Sequence, residues 1–457
     1  MNSSAPSSFD RIGFPEVSRF VLDLPSDQIP EDVLQAARML FLDTIGICIA
    51  ATPMAAGVLA REAAVRLYGS GTQADRATLL FDGRQASLAG AAFAAATQTD
   101  NLDGHDGYNP TKGHIGVAVV PSLIAVSEHL RHLSGRDALA AMVIGYEVAG
   151  RAGIALHATV SDYHTSGAWN GLGVAALATR LRLGTPEQLR QALGIAEYHG
   201  PRSQMMREIA HPTMLHDGSG MGALVGLSAV VMAEMGFTGA PAITVETVEA
   251  APHWADLGSF WQTSHQYIKP YPVCRWAHAA IDGARDICLA HGIGADQVGE
   301  IEIRSFHNAV QLFAAMPDTT SKAQYSLPFA VACMIAHGRI GLEHISGAGL
   351  TDPVVAGLVE RTRMIEEPRH EERYPVGRWA DVVLRLRDGR ILHSGDIHAR
   401  GGPERPFSEA DIIAKYMEFS SAVVGSARAA LIRDAVLGLT DPAARFADLT
   451  KHLFAAP

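Results

Sequence analysis

Leu102-Asp103-Gly104-His105-Asp106-Gly107-Tyr108-Asn109-Pro110-Thr111-Lys112-Gly113-His114-Ile115-Gly116 lies between two apolar stretches, Ala89 to Ala96 before it and Val117 to Val126 after it. Both flanks read as buried helix. The fifteen residues between them hold two Asp, two His, one Lys, one Tyr and four Gly. A polar, glycine-punctuated loop between two buried helices carries titratable side chains into the protein interior. Burial shifts their pKa values, and shifted carboxylates and imidazoles are the tools of proton transfer.

Outward from this loop the chain reads as helix in both directions. Pro30-Glu31-Asp32 opens one, with proline in the first turn and acids at the positive end. Val33, Ala36, Ala37, Leu40 and Phe41 follow at helical spacing, continuing through Asp43-Thr44-Ile45-Gly46. Helices are expected over Pro121 to His132, Ala138 to Ile154, Ala168 to Leu181 and, after Thr185-Pro186-Glu187, Leu189 to Tyr198. Met221 to Met235 is nearly all apolar, the pattern of a helix buried on all sides. The pattern changes near residue 295. Val298 to Phe306 alternates as a half-buried strand does, and Val382 to His393 reads as a hairpin turning at Asp388-Gly389. Ser326 to His337 lies between them as an apolar helix, and Ser408-Glu409-Ala410-Asp411 starts helix again. The expected fold class is mainly α: a large all-helical domain, residues 1–275 with 406–457, plus a smaller α+β domain with an antiparallel sheet, residues 276–405. Residues 1–12 read as a loose tail.

Composition narrows the function. With 457 residues, 48% hydrophobic and 19% charged, the chain has the make-up of an ordinary globular protein. Lys and Arg number 37 against 48 Asp and Glu, so the net charge is −11, which argues against nucleic acid as a partner. Cys48, Cys274, Cys288 and Cys333 form no Cys-x-x-Cys pair, so zinc and iron–sulfur ligation get no support. Scattered thiols suit a reducing compartment. With no basic-then-apolar start and no apolar run of the ~18 residues a span needs, a cytoplasmic location without membrane partners is expected. His105, Asp106 and His114 lack metal-ligand spacing. Neither a dinucleotide fingerprint nor a nucleophile elbow occurs: Gly171-Leu172-Gly173 lacks the preceding strand, and Gly218-Ser219-Gly220 is not Gly-x-Ser-x-Gly.

Further chemistry-bearing spots join the loop. Asp162-Tyr163-His164-Thr165-Ser166-Gly167 and His211-Pro212-Thr213-Met214-Leu215-His216-Asp217-Gly218 each precede a buried helix, whose N-terminal N–H groups suit a carboxylate. Lys269-Pro270-Tyr271-Pro272-Val273-Cys274-Arg275-Trp276-Ala277-His278 supplies cations on a proline-stiffened backbone, and Arg grips carboxylates bidentately. Tyr325, in Gln324-Tyr325-Ser326-Leu327-Pro328, opens the small-domain helix. Tyr146, in Gly145-Tyr146-Glu147, sits mid-helix.

As an ordered set these marks resemble the MmgE/PrpD family, which includes 2-methylcitrate dehydratases, cis-aconitate decarboxylases and iminodisuccinate epimerases. Leu42-Asp43-Thr44-Ile45-Gly46, Leu193-Gly194-Ile195-Ala196 and Gly236-Phe237-Thr238-Gly239 add to the likeness. The resemblance implies a helical domain, a smaller α+β domain, an active site in the cleft between them, a homodimer, and catalysis without metal or organic cofactor. The family's loop aspartate matches Asp103, its loop histidine His114, its second-helix histidine His164 and its cleft lysine Lys269. There are departures. An Asp-x-Asp-Asp cluster becomes Asn101-Leu102-Asp103-Gly104. A lysine falls at Thr213, a histidine at Cys274 and a tyrosine at Phe329. These changes remove cationic and proton-donating groups from substrate contacts and speak against the tricarboxylate substrates, and the inserted segment Gly104 to Lys112 suggests a subgroup with its own substrate.

The expectation is a cofactor-independent lyase of the dehydratase type, acting on a small di- or tricarboxylate by abstracting a proton next to a carboxylate. Epimerisation or decarboxylation would share that first step, and a non-catalytic small-acid-binding dimer is the rival class. His114 or His164 would be the base and Asp103 its orienting carboxylate. Lys269 and Arg275 would clamp the developing charge, and Tyr146 or Lys269 would return a proton. Lys112, His216 and Tyr325 would contact substrate.

Overall fold

The computed structural model describes residues 13–69 and 71–457; the tail expected over 1–12 lies outside the described residues. The helical part is built from α1 (Glu31–Ala50), α2 (Leu88–Asp100), α3 (Gly116–Ser127), α4 (Gly135–Thr159), α5 (Asn170–Leu181), α6 (Pro186–His199) and α7 (Ser219–Glu234). The smaller part follows as α8 (His278–His291), β1 (Val298–Ser305), α9 (Leu327–His337), β2 (Thr362–Glu366), β3 (Trp379–Leu386), β4 (Ile391–His393) and β5 (Ile397–His398). Then α10 (Glu409–Val424) and α11 (Ser426–Leu437) return to the helical part, where Ile412, Tyr416, Ile432 and Val436 join its hydrophobic core. A second core runs from Tyr271 to Ala399 and takes in Ile47, Ala50, Ala51, Leu102, Met205 and Ile209. The molecule is thus mainly α with a smaller α+β part.

Caps set several boundaries where the sequence places them. Thr185 and Gln188 form a reciprocal capping box ahead of α6, Ser408 and Asp411 one ahead of α10. Other boundaries move. α3 begins at Gly116 and ends at Ser127, so Pro121 falls inside it, where its missing N–H forfeits one intrahelical bond. α1 and α4 are long and apolar enough to span a membrane, contrary to the expectation that no run is, but 83% and 94% of their apolar windows are buried inside the protein. α7 is not buried on all sides either. Its glycines at 220, 222 and 226 let α2 and α5 approach closely on one face, leaving Met221 and Met235 exposed on another. A short hairpin, Arg76–Thr78 with Gln85–Ser87, interrupts the helical part.

The main sheet runs β2-β1-β3-β4, with β5 also on β3. β1–β3 and β3–β4 are antiparallel, the latter turning through Gly389 at a φ of 92°; β1–β2 is parallel, joined by a crossover that contains α9.

The return of α10 positions the loop. Tyr416 lies against Gly46 of α1, where any Cβ would crowd its ring. Next to it in the chain, Lys415 pairs with Asp43, one turn before Gly46, at 2.5 Å and donates to the Gly104 carbonyl at 2.7 Å. Leu42-Asp43-Thr44-Ile45-Gly46 therefore joins three distant segments at the base of the loop.

Candidate active site

At the seam between the two cores lies a small cavity of about 30 Å³. The helical part contributes Asp103, Lys112, His114, Tyr163, Met205 and Asp217; the other side contributes Tyr267, Lys269, Cys274, Arg275, Trp276, Tyr325 and Arg378. Six of the nine residues singled out in the sequence (Asp103, Lys112, His114, Lys269, Arg275 and Tyr325) meet here from segments far apart in the chain.

His114 is held from two sides. Its Nδ1 lies 2.6 Å from the Asp106 carbonyl, which only accepts, so Nδ1 carries the proton and Nε2 keeps its lone pair. The His114 N–H donates to Ser166 Oγ, whose hydroxyl donates to Asp217 Oδ1. Asp217 Oδ2 stands 3.4 Å from His114 Nε2. Burial pulls the His114 pKa down and Lys269 adds to this, against an upward pull from Asp217 and Asp103. The resting imidazole is therefore neutral. A proton arriving at Nε2 finds a carboxylate already in place. Two close approaches need glycine: a Cβ at Gly113 would overlap Ser166 Oγ, and one at Gly116 would overlap Tyr146 Oη and Asp106 Oδ1.

Asp103, which the sequence reading makes the orienter of the imidazole, pairs with Lys269 instead. Asp103 adopts a left-handed φ of 54°, and Lys269 Nζ donates to its Oδ1 and, at 3.1 Å, to its carbonyl. Burial pulls the Lys269 pKa down, but Asp103, then Tyr267, together outweigh it and the net shift is upward. The ammonium stays charged although Lys269 is only 1% exposed. Arg275 donates to the backbone carbonyls of Arg400 and Ala399, and burial lowers its pKa to about 10. Burial raises the Cys274 thiol to about 12, so it stays protonated.

Tyr325 Oη donates to Glu208 Oε1, and Glu208 Oε2 accepts the Asp217 N–H at 2.8 Å. Burial, then Asp217, push the Glu208 pKa far up; burial, Asp217 and Glu208 do the same to Asp100. Of these three carboxylates, Asp217 is the one that accepts both the Ser166 N–H and its hydroxyl.

The other three singled-out residues do not line the cavity. Tyr146 is fully buried beneath the loop, donating to Asp106 Oδ2 at 3.1 Å. Asp106 is itself pushed up to about 7 by burial and then by Asp43. His164 stacks on His157 with ring centroids 6.4 Å apart, and its N–H donates to His157 Nε2. His216 packs behind Tyr325 at 5.4 Å between centroids. The sequence reading missed Asp217, Glu208, Tyr163, Tyr267 and Arg378. Asp217 had a signal: it follows His216 and precedes Gly218 at a helix entry.

Among the described residues, the group whose ligand atoms lie close enough for a metal is His370, Asp381 and Asp396. Arg304 and Arg369 pair with Asp381, and Arg369 and Arg373 pair with Asp396, so arginines occupy both carboxylates.

Comparison with known proteins agrees over nearly the whole chain. Residues 16–249 match the MmgE/PrpD N-terminal domain and residues 271–441 the MmgE/PrpD C-terminal domain. A cis-aconitate decarboxylase of Aspergillus terreus is 25% identical over 93% of this chain and 92% of its own length. A cis-aconitate decarboxylase-like protein, oryM, of Aspergillus oryzae (strain ATCC 42149 / RIB 40) is 23% identical over 93% of this chain and 94% of its own. The chain belongs to the MmgE/PrpD family.

Proposed function

We propose that this protein is a carboxylic-acid lyase that starts its reaction by taking a proton from carbon next to a carboxylate, using its own side chains. His114 Nε2 is the base. As it becomes imidazolium, Asp217 Oδ2 stabilises the new charge, while the Asp106 carbonyl keeps Nδ1 fixed. The electrons left behind build enolate-like charge on the carboxylate, and Lys269 meets it. Two of the three Lys269 protons point at Asp103, which leaves one for substrate. Tyr325 is the donor for the leaving group or the product carbon, and Glu208, whose pKa burial and Asp217 push far up, returns a proton to it by reversing the hydrogen bond they share.

The observation that carries the proposal is the free Nε2 lone pair of His114 facing both a sheltered cavity and a carboxylate. Loss of a β-hydroxyl after the first step makes the enzyme a dehydratase, the outcome we propose. The names of the Aspergillus relatives favour a second reading, in which the bond to a carboxylate breaks instead, carbon dioxide leaves, and the electron pair left on carbon takes a proton. A cytoplasmic homodimer completes the proposal.

The test is deuterium incorporation at the α-carbon of candidate acids in deuterated water. Wild-type protein exchanges label into its substrate. His114→Gln slows this by about 100-fold or more, the range general bases supply, and Lys269→Met slows it comparably. Undiminished exchange in His114→Gln would remove the base assignment.

A further inference from the structure

Lys112, Arg275 and Arg378 reach the cavity, and none of them has a carboxylate within ion-pairing distance among the described residues. The acids that act on Arg275 from farther away, Asp282 and Glu404, face Arg400 and His398. Each cation rests on a tyrosine face instead. Lys112 Nζ lies 4.7 Å from the ring centre of Tyr163, and the Arg275 guanidinium 4.4 Å from that of Tyr267. The Arg378 guanidinium lies 5.0 Å from that of Tyr374. An aromatic face orients a cation without neutralising it. The three are close enough to oppose one another: after burial, repulsion from Arg378 pulls down the pKa of both Lys112 and Arg275. Like charges gathered at a buried cavity without a counter-ion are arranged for an anion.

The rest of the cavity has the opposite sign. Asp103 neutralises Lys269, but its Oδ2 has no partner, and Asp217 faces His114. The cavity is thus polarised, with unspent positive charge at one end and carboxylates beside the base at the other. A third substrate carboxylate would lie against Asp103 and Asp217.

We propose that the substrate is a dicarboxylate, one carboxylate held by the tyrosine-mounted Lys112, Arg275 and Arg378 and the other within reach of the one free Lys269 proton, so that the carbon next to it faces His114. This rests on the proton-abstraction reading for its chemistry, but not for its binding. It separates the chain from the tricarboxylate named in its relatives.

The experiment measures binding of the full chain by calorimetry, and α-carbon exchange by NMR in deuterated water. The probes are four- and five-carbon dicarboxylates, the corresponding monocarboxylates, cis-aconitate and citrate, and a phosphate monoester. Dicarboxylates are expected to bind about 100-fold more tightly than the tricarboxylates or monocarboxylates. Arg378→Met and Lys112→Met should each weaken dicarboxylate binding about tenfold or more, and Arg378→Lys should recover part of the loss. Equal or tighter binding of a tricarboxylate or of the phosphate monoester would overturn the proposal, as would full affinity in both Met variants. If Arg378→Met fails to fold, Lys112→Met with Arg378→Lys decides. Dicarboxylate binding without exchange supports this inference and removes the proton-abstraction reading. Exchange on a tricarboxylate does the reverse.

Discussion

A single tautomer organises the chemistry. The Asp106 carbonyl accepts from His114 Nδ1, so the basic lone pair sits on Nε2, opposite Asp217. The lone pair and the carboxylate repel until a proton arrives between them, after which they attract. The proton-bound state of the imidazole is favoured by that change. The pH dependence follows from the sign of the shifts. Burial and Lys269 place the His114 pKa below its ordinary value, so activity falls on the acid side as pH drops through that lowered pKa and the base protonates. Asp217 pulls the same pKa upward. Asp217→Asn is therefore expected to move the acid limb of kcat/KM to lower pH and to reduce kcat about 10- to 100-fold, since the imidazolium loses its partner. A pH–rate profile of the two proteins checks this. An unmoved limb would mean that Asp217 does not act on the base.

The loop and the helix after it form one mechanical unit. The N-terminus of α3 passes so near Tyr146 Oη and Asp106 Oδ1 that position 116 tolerates only hydrogen. Asp106 also accepts from Thr44 at 3.3 Å and supplies the carbonyl that fixes His114. Gly116→Ala must displace Asp106 or Tyr146. The expected result is a loss of about 1–3 kcal/mol in denaturant unfolding together with a kcat that falls more than KM rises. Wild-type values of both would show that the loop is not coupled to α3 in this way. This coupling also marks the limit of what the sequence discloses. The loop, its buried flanks, the capped starts of α6 and α10 and the Asp388-Gly389 turn are local patterns, and they are legible. The pairing of Asp103 with Lys269 rather than with a histidine is decided by a left-handed backbone at Asp103, which no local pattern announces. Asp217 reads as part of a helix entry because its partner is 103 positions away. Arg378 follows no motif, and its role depends on a tyrosine face beneath it. The exposed stripe of α7 escaped for a similar reason: composition shows that a helix is apolar, not whether a neighbour covers it.

Across the whole molecule, the cavity is too small for the chemistry proposed in it. At about 30 Å³ it has room for about two waters, so a dicarboxylate fits only if the lining yields, and the seam is where it can part. What crosses the seam shows where that is feasible. Ile47, Ala50, Ala51, Leu102, Met205 and Ile209 are embedded in the second core and make a firm apolar junction. Around the cavity the crossings are polar: the Lys269–Asp103 ion pair, Gln324 Nε2 to the Asn101 carbonyl at 2.9 Å, Tyr325 to Glu208, and the paired backbone bonds of Gly107 and Tyr267 at 3.0 and 2.8 Å. Such bonds open at a fraction of the global unfolding free energy, whereas a packed central helix such as α4 does not. Hydrogen exchange should therefore show the amides of Gly107 and Tyr267 exchanging well ahead of those in α4. Ligand at about 100 times its Kd should slow the seam amides by about 100-fold, if the closed form alone grips the bound acid, while α4 changes little. If seam and α4 amides exchange together, or if saturating ligand leaves the seam amides untouched, no separate opening exists, and the route of entry must lie elsewhere.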